Sequence, residues 1–254
     1  MNRNIKLIIA YDGTDFHGWQ RQKNRQNTIQ AVIEKALEKM HGHPVNLTGS
    51  GRTDTGVHAA GQTANFFTDI DSIPAERFSF ALNSLLPPDI RILESSETDE
   101  SFHSRFSAKT RLYRYQFICH SSITSVKPQD NRFNLQLHRF PNIELLNAYG
   151  RIILGETDCS IFTGAGDITN ITGKSKNRFI YKAHFFTEHN KLIFEISANA
   201  FLRNMVRSVT GTFLFYEEAN LQPEKLKEII SSGRRDLAGP TLPPNGLFLW
   251  KVEY

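Results

Sequence analysis

The sequence predicts an α+β fold built as two halves with the same order of strands and helices. Three observations carry this reading. Short apolar runs that end in turn residues recur along the chain, stretches of helical spacing lie between them, and the order that opens the chain can be read again after residue 110. With 254 residues there is room for one large domain or two halves of ordinary size.

IKLIIAYDG (5–13) is an apolar run ending in a turn, hence a strand. In TIQAVIEKALEKM (28–40), Ile29, Val32, Ile33, Ala36, Leu37 and Met40 fall at helical spacing, with Asn27 as the N-cap and Gly42 as the stop. PVNLTGSG (44–51) and GQTANFFT (61–68) read as strands, IPAERFSFALNSLLP (73–87) as a helix and DIRILESS (89–96) as a strand. The order β-α-β-β-α-β is the ferredoxin-like, or RRM-like, unit. The second half repeats it. RLYRYQFICH (111–120) is a strand, IELLNAYGRIIL (143–154) a helix, and NRFIYKAHFFTEH (177–189) with KLIFEISANA (191–200) a strand pair. ANAFLRNMVRSVTGTFLFY (198–216) and QPEKLKEIISS (222–232) read as helices, and GLFLWKVEY (246–254) closes the chain as a strand. The acidic, Ser-rich stretch at 94–101 marks the join, so the halves are residues 1–100 and 101–254, with a mixed, mainly antiparallel sheet.

Apolar content of 39% and charge of 22% indicate a soluble globular protein. Lys and Arg exceed Asp and Glu by only 30 to 26, so the distribution of charge says more than its sum. SFHSRFSAKTRLYR (101–114) carries Arg105, Lys109, Arg111 and Arg114 without an acid, and QRQKNRQ (20–26) and KSKNRFIYK (174–182) are also purely basic. Patches of this kind suit a nucleic acid, although any one of them is also what a solvated face looks like. Cys119 and Cys159 lack CxxC spacing and read as reduced core thiols of an intracellular protein. The N-terminal apolar run is too short for a signal peptide or a membrane span, which makes the cytoplasm the expected location.

The stretch GSGRTDTGVHAAGQ (49–62) sets four glycines around one carboxylate, Asp54, between Arg52 and His58. A phosphate cradle of the Walker type needs Gly-Lys-Ser/Thr, which is missing, and the glycines do not follow dinucleotide-binding spacing. Asp54 and His58 alone make a poor metal site, since the nine histidines are scattered apart from His41 and His43. Two readings stand on these residues alone. Asp54 caps the loop as an Asx-turn, or the turn presents it to a substrate as a nucleophile or base held ionised by a cation. A lone acid does not suit the two-carboxylate scheme of most glycoside hydrolases.

AYDGTDFHGWQRQ (10–22), TIQAVIEKALEKM (28–40), SGRTDTGVHAAGQ (50–62), FHSRFSAKTRLYRY (102–115), ANAFLRNMVR (198–207) and AGPTLPPNGLFLWKVEY (238–254) together resemble the tRNA pseudouridine synthase A family. The family signature is similar to GRTDAGVHA, and Thr55 here replaces the usual Ala. GDITNITGKSKNRF (166–179) follows the family pattern only loosely.

The resemblance implies the pseudouridine synthase fold with a central catalytic cleft, and isomerisation of uridine to pseudouridine at positions 38, 39 and 40 of the tRNA anticodon stem-loop. It implies a homodimer, tRNA as partner, and neither cofactor nor metal. It places Asp54 on the catalytic aspartate, Tyr113 on the tyrosine that packs on the target base, and Arg207 on the arginine that pairs with the carboxylate. Arg52 and Arg105 fall on arginines placed to engage RNA backbone or hold the flipped nucleotide. On the predicted helix 198–216, Arg203 and Arg207 lie one turn apart. A tyrosine and arginines help offset the few kcal/mol, roughly, that unstacking a base costs. An RNA-binding protein without catalysis is the competing reading, but the chain lacks the aromatic RNP signature. An aspartate-dependent hydrolase lacks an evident second acid or base.

Overall fold

The computed structural model describes residues 3–25, 27–119, 130–163 and 175–254. The chain forms two compact units, Met1–Lys109 with Phe248–Tyr254, and Thr110–Leu247. Both are α+β with mostly antiparallel strands, as the sequence predicts.

In the first unit, β1 (Arg3–Tyr11) is followed by α1 (Ile29–His41), β2 (Thr48–Gly49), β3 (His58–Thr68), α2 (Phe78–Asn83) and β4 (Ile90–Thr98). The strands lie in the order β4-β1-β3-β2 with every pair antiparallel, which is the ferredoxin-like arrangement. Alternation along β1 buries Ile5, Leu7 and Ile9 completely, and α1 buries Ile29, Ile33 and Leu37. The N-cap of α1 is Thr28, one residue beyond the expected Asn27, whose Nδ2 donates instead to the Asp15 carbonyl at 2.6 Å. Gly42 ends the helix at φ 74°, its amide donating to the Glu38 carbonyl. The strand expected over 44–51 pairs only at Thr48–Gly49.

The second unit contains β5 (Thr110–Cys119), α3 (Asp130–Phe133), β6 (Leu135–Leu137), α4 (Ile143–Ile152), β7 (Gly155–Asp158), β8 (Asn177–Glu188), β9 (Lys191–Ala198), α5 (Met205–Glu218) and α6 (Pro223–Ser231). Its antiparallel order is β5-β9-β8-β7, with β6 running parallel to β5. His189 and Asn190 join β8 to β9 with φ of 47° and 63°, the two left-handed positions of a type I′ hairpin. Tyr115, Phe117, Tyr149, Phe185, Phe194 and Phe213 fill the core. The helix expected from 198 begins only at Met205, because Asn204 takes the left-handed conformation at φ 59° and breaks the spiral. Arg203 therefore precedes the helix, exposed, and does not share a helical face with Arg207.

The final strand, β10 (Leu247–Glu253), runs parallel to β3, with Phe248 opposite His58 and Leu249 opposite Ala59. Gly61 permits this approach, since a β-carbon there would lie 2.5 Å from the Trp250 carbonyl oxygen. The Lys109 amide donates to the Glu253 carbonyl, and Tyr254 Oη donates to the Ser104 carbonyl, both at 2.8 Å.

Candidate active site

Asp54 sits in the loop between β2 and β3, half-buried. The Val57 amide donates to the Asp54 carbonyl at 3.1 Å, and Gly56 stands third in this turn at φ 78°, the type II pattern that favours glycine. A main-chain hydrogen bond therefore closes the turn. Ser50 and Gln62 hydrogen-bond to each other across the mouth of the loop, and Gln62 Nε2 donates to the Gly51 carbonyl at 3.0 Å. Gly51 faces open space, whereas Gly49 lies against the Trp19 ring at a distance no side chain would tolerate.

A second loop, 12–19, braces the first. Tyr11 Oη and Thr53 Oγ1 lie 2.8 Å apart in a buried hydrogen bond, the Trp19 amide donates to the Thr53 carbonyl at 3.1 Å, and the Gly56 amide donates to the Phe16 carbonyl at 3.3 Å. Gly18, at φ 82°, has the Thr53 carbonyl oxygen where a β-carbon would stand, 2.6 Å away. Gly13 is tighter still, with the Val57 carbonyl oxygen at 2.0 Å from that position. His58 is completely buried, its Nδ1 accepting from the Gly13 amide at 3.0 Å and its ring stacked on Phe248 at 4.8 Å. The same Nδ1 lies 3.2 Å from Asp12 Oδ1, so this is a buried histidine beside a carboxylate. Segment 10–22 carries no local signal for this bracing, since its partners lie about forty residues away; the Tyr11 to Thr53 bond spans 42 positions.

Arg52 is exposed, two residues before Asp54. Arg105 is also exposed, its guanidinium carbon 5.7 Å from the Phe106 ring centre. Within 101–114, Arg114 is committed to the protein itself: its Nε donates to Glu195 at 2.7 Å. Arg111 donates to the Asn199 carbonyl at 2.8 Å. Residue 26 of one basic stretch, residue 174 of another and the loosely matching 166–174 lie outside the described residues.

In the second unit, Tyr113 projects from β5 with its ring edge against Phe201, centroids 5.0 Å apart. Tyr115, two residues on and therefore on the same face of the strand, is buried and donates to the Pro243 carbonyl. Burial pushes its hydroxyl far up in pKa, a rise that the Arg207 charge opposes. Arg207 stands in the first turn of α5, with Nε donating to the Leu242 carbonyl at 2.6 Å and Nη1 to Asn204 Oδ1 at 3.0 Å. Segment 238–242 lies directly on α5: the Gly239 amide donates to Thr212 Oγ1 at 3.0 Å, and Ser208 and Thr241 share a hydroxyl bond of 2.9 Å. Tyr113 and Tyr115 thus share one face of β5 and Arg207 is held at the start of α5, all within the second unit, while the aspartate loop is braced within the first.

Among the described residues, no group of three or more His, Cys, Asp or Glu side chains could hold a metal ion. None of the helices among them is long and apolar enough to cross a membrane. Cys119 and Cys159 are free thiols, and burial pushes Cys159 up to about 12, which leaves it protonated and unreactive at neutral pH.

The chain is similar to one known class of protein over most of its length. The family model for tRNA pseudouridine synthase covers residues 7–107 and 151–254, and the chain belongs to that family. It is 47% identical to tRNA pseudouridine synthase A of Treponema denticola over 256 residues, which is 99% of this chain and 93% of the relative. Against tRNA pseudouridine synthase A of Treponema pallidum strain Nichols the identity is 43%, over 94% of this chain and 84% of the relative. The protein of the same name from Acetivibrio thermocellus is 41% identical over 99% of this chain and its own full length.

Proposed function

We propose that this protein converts uridine to pseudouridine in tRNA, at positions 38, 39 and 40 of the anticodon stem-loop, with Asp54 as the catalytic carboxylate. The observation that carries the reading is the aspartate turn itself, closed by main-chain bonds and braced by a second loop in a chain that belongs to the family along most of its length. A turn whose backbone is braced in this way needs little reorganisation when a substrate arrives.

The reaction breaks the C1′–N1 bond, turns the uracil and joins C1′ to C5. The C5 proton is lost and N1 gains one, so atoms and electrons balance without any co-reactant. Asp54 acts on C1′, on the base, or on the 2′ proton. Tyr113 packs on the extruded base, for which its aromatic face is suited. Arg207 supplies the charge that keeps the carboxylate ionised. Arg52 and Arg105, both exposed, engage the RNA backbone or the flipped nucleotide. Residues 1–100 supply the aspartate loop and residues 101–254 the tyrosine and the arginine. The protein works without cofactor or metal, as a homodimer in the cytoplasm.

The test is to incubate the pure protein with unmodified tRNA in chelator, map pseudouridine, and repeat with Asp54→Asn. The parent is expected to modify positions 38 to 40 and the variant to bind tRNA and form none. Turnover of the variant within about tenfold of the parent, roughly 1.4 kcal/mol of barrier, would exclude Asp54 from the chemistry.

A further inference from the structure

Phe106 is one of the most exposed rings among the described residues, 77% accessible, yet the turn that carries it is ordered by side-chain and main-chain hydrogen bonds. His103 fixes it. The Nδ1 of His103 accepts from the Arg105 amide at 3.2 Å and from the Phe106 amide at 3.3 Å, while the Ser107 amide donates to the His103 carbonyl at 2.9 Å. The His103 amide donates in return to Ser107 Oγ at 3.1 Å. The imidazole also lies beside the phenyl ring, centroids 4.3 Å apart at 33°, and the Arg105 guanidinium stands 5.7 Å from the ring centre. Between them Ser104 is completely buried, taking the Asn65 Oδ1 with its amide at 2.9 Å and donating its hydroxyl to the Thr48 carbonyl. Thr48 and Asn65 are themselves paired across β2 and β3. The turn is therefore riveted to the strand that leads into the aspartate loop, and the six residue steps from Thr48 to Asp54 span at most about 22 Å.

An exposed phenyl ring forgoes the burial that stabilises such rings in a core, and single exposed rings need no explanation. Phe80 is the ordinary case: it is 76% exposed on α2, with no ring or cation beside it among the described residues. Phe106 differs because a histidine, an arginine and four hydrogen bonds within the surrounding turn preorganise it. An aromatic face flanked by a guanidinium, in a segment with no acid from 101 to 114, is the chemistry that stacks an unpaired base while attracting its phosphate.

We propose that Phe106, with His103 and Arg105, is a stacking platform for a single-stranded base of the tRNA, next to the nucleotide that Asp54 acts on. This rests on the proposed function. The platform is a positioning device and takes no part in bond making. Its occupant is a splayed base rather than a protein surface, because the cation and the rigid, isolated ring suit a π-face better than an apolar groove would.

The test compares Phe106→Ala, Phe106→Leu and Phe106→Trp on an unmodified tRNA transcript. The Ala and Leu variants are expected to bind tRNA on the order of ten-fold more weakly, since Leu keeps apolar area but has no π-face. The Trp variant is expected to keep the parent's affinity, and its added emission to be quenched when tRNA binds. A Leu variant that binds like the parent, or a Trp variant whose emission ignores tRNA, overturns the platform. So does an Ala variant that binds tRNA normally but sediments as a different oligomer, which assigns the ring to a protein contact. Affinity and quenching do not depend on product, so a parent that bound tRNA and made no pseudouridine would overturn the proposed function while these readings still decided the platform.

Discussion

Gly13 and Val57 lie so close that a β-carbon on the glycine would stand 2.0 Å from the valine carbonyl oxygen. Gly13 is not among the residues of positive φ, so alanine is excluded there by space alone and not by backbone conformation. The contact joins the two loops of the first unit, and Val57 in turn closes the Asp54 turn. Gly13→Ala is therefore expected to push the aspartate loop outward. Overpacking of this kind costs about 1–3 kcal/mol of stability. A displacement near 1 Å would lower the single-turnover rate on the order of a hundred-fold. Thermal melting and single-turnover pseudouridine formation check both parts, and a fully active variant would show that the brace does not set the carboxylate.

The same logic holds in the second unit, where two effects oppose each other. Gly211 is inside α5, and alanine there is favoured by about 1 kcal/mol of helix propensity. A β-carbon at 211 would, however, lie 1.9 Å from the Pro240 carbonyl oxygen, in the segment that also holds Arg207 through Leu242. The clash is with backbone, so nothing flexible can yield. Gly211→Ala is expected to lower the melting temperature, against the propensity; a rise would mean that segment 238–242 is not seated on the helix.

How much of this was legible in the sequence depends on how local the cause is. The periodicity of α1 and the glycine that stops it are local, and both stand where the sequence puts them, give or take one capping residue. The helix expected from 198 runs on smoothly in the sequence through Ala198, Leu202 and Met205, and only the left-handed Asn204 interrupts it. The short strands β6 and β7 carry too few residues to show a period. At the site, glycine density pointed to Asp54, but Gly61 serves the contact with β10 rather than a ligand, and the bracing of the turn by Tyr11, Gly13, Gly18 and Trp19 is long-range. Such pairings have no signature along the chain.

Glu195 on β9 is nearly inaccessible, between Arg114 of β5 and Lys182 of β8, both of which donate to its carboxylate. Burial alone would push its pKa up, but the hydrogen bonds from Lys182 and Arg114 outweigh that and leave it below the ordinary glutamate value. A carboxylate whose folded value is depressed stabilises the fold above its unfolded value, near 4.3, and the contribution is lost as pH falls through the folded value. Melting temperatures followed from neutral pH to about pH 3 should thus fall more steeply for the parent than for Glu195→Gln. At neutral pH the variant should be less stable by about 2 kcal/mol, the range for hydrogen bonds to a charged group. Parallel curves would show that the triad does not govern acid stability.

Arg207 is expected to act through the carboxylate chemistry rather than through RNA affinity. Two of its donors are already spent on the Leu242 carbonyl and Asn204 Oδ1, which fixes the guanidinium as a positioned charge at the start of α5 instead of a mobile phosphate contact. In the proposed function this charge holds Asp54 ionised during the reaction, so Arg207→Leu should depress the single-turnover rate severely, on the order of a hundred-fold or more, and leave tRNA affinity within a few-fold. Arg207→Lys should recover only part of the rate. An ammonium supplies the charge but lacks the planar fork that bonds Leu242 and Asn204 while presenting a further edge. The pH–rate profile separates this from a structural role: without the cation, the limb that reports the ionised carboxylate should move to higher pH, and the lysine variant should return it partway. Normal turnover of bound tRNA by the leucine variant, with weakened and less salt-dependent binding, would instead make Arg207 a phosphate contact.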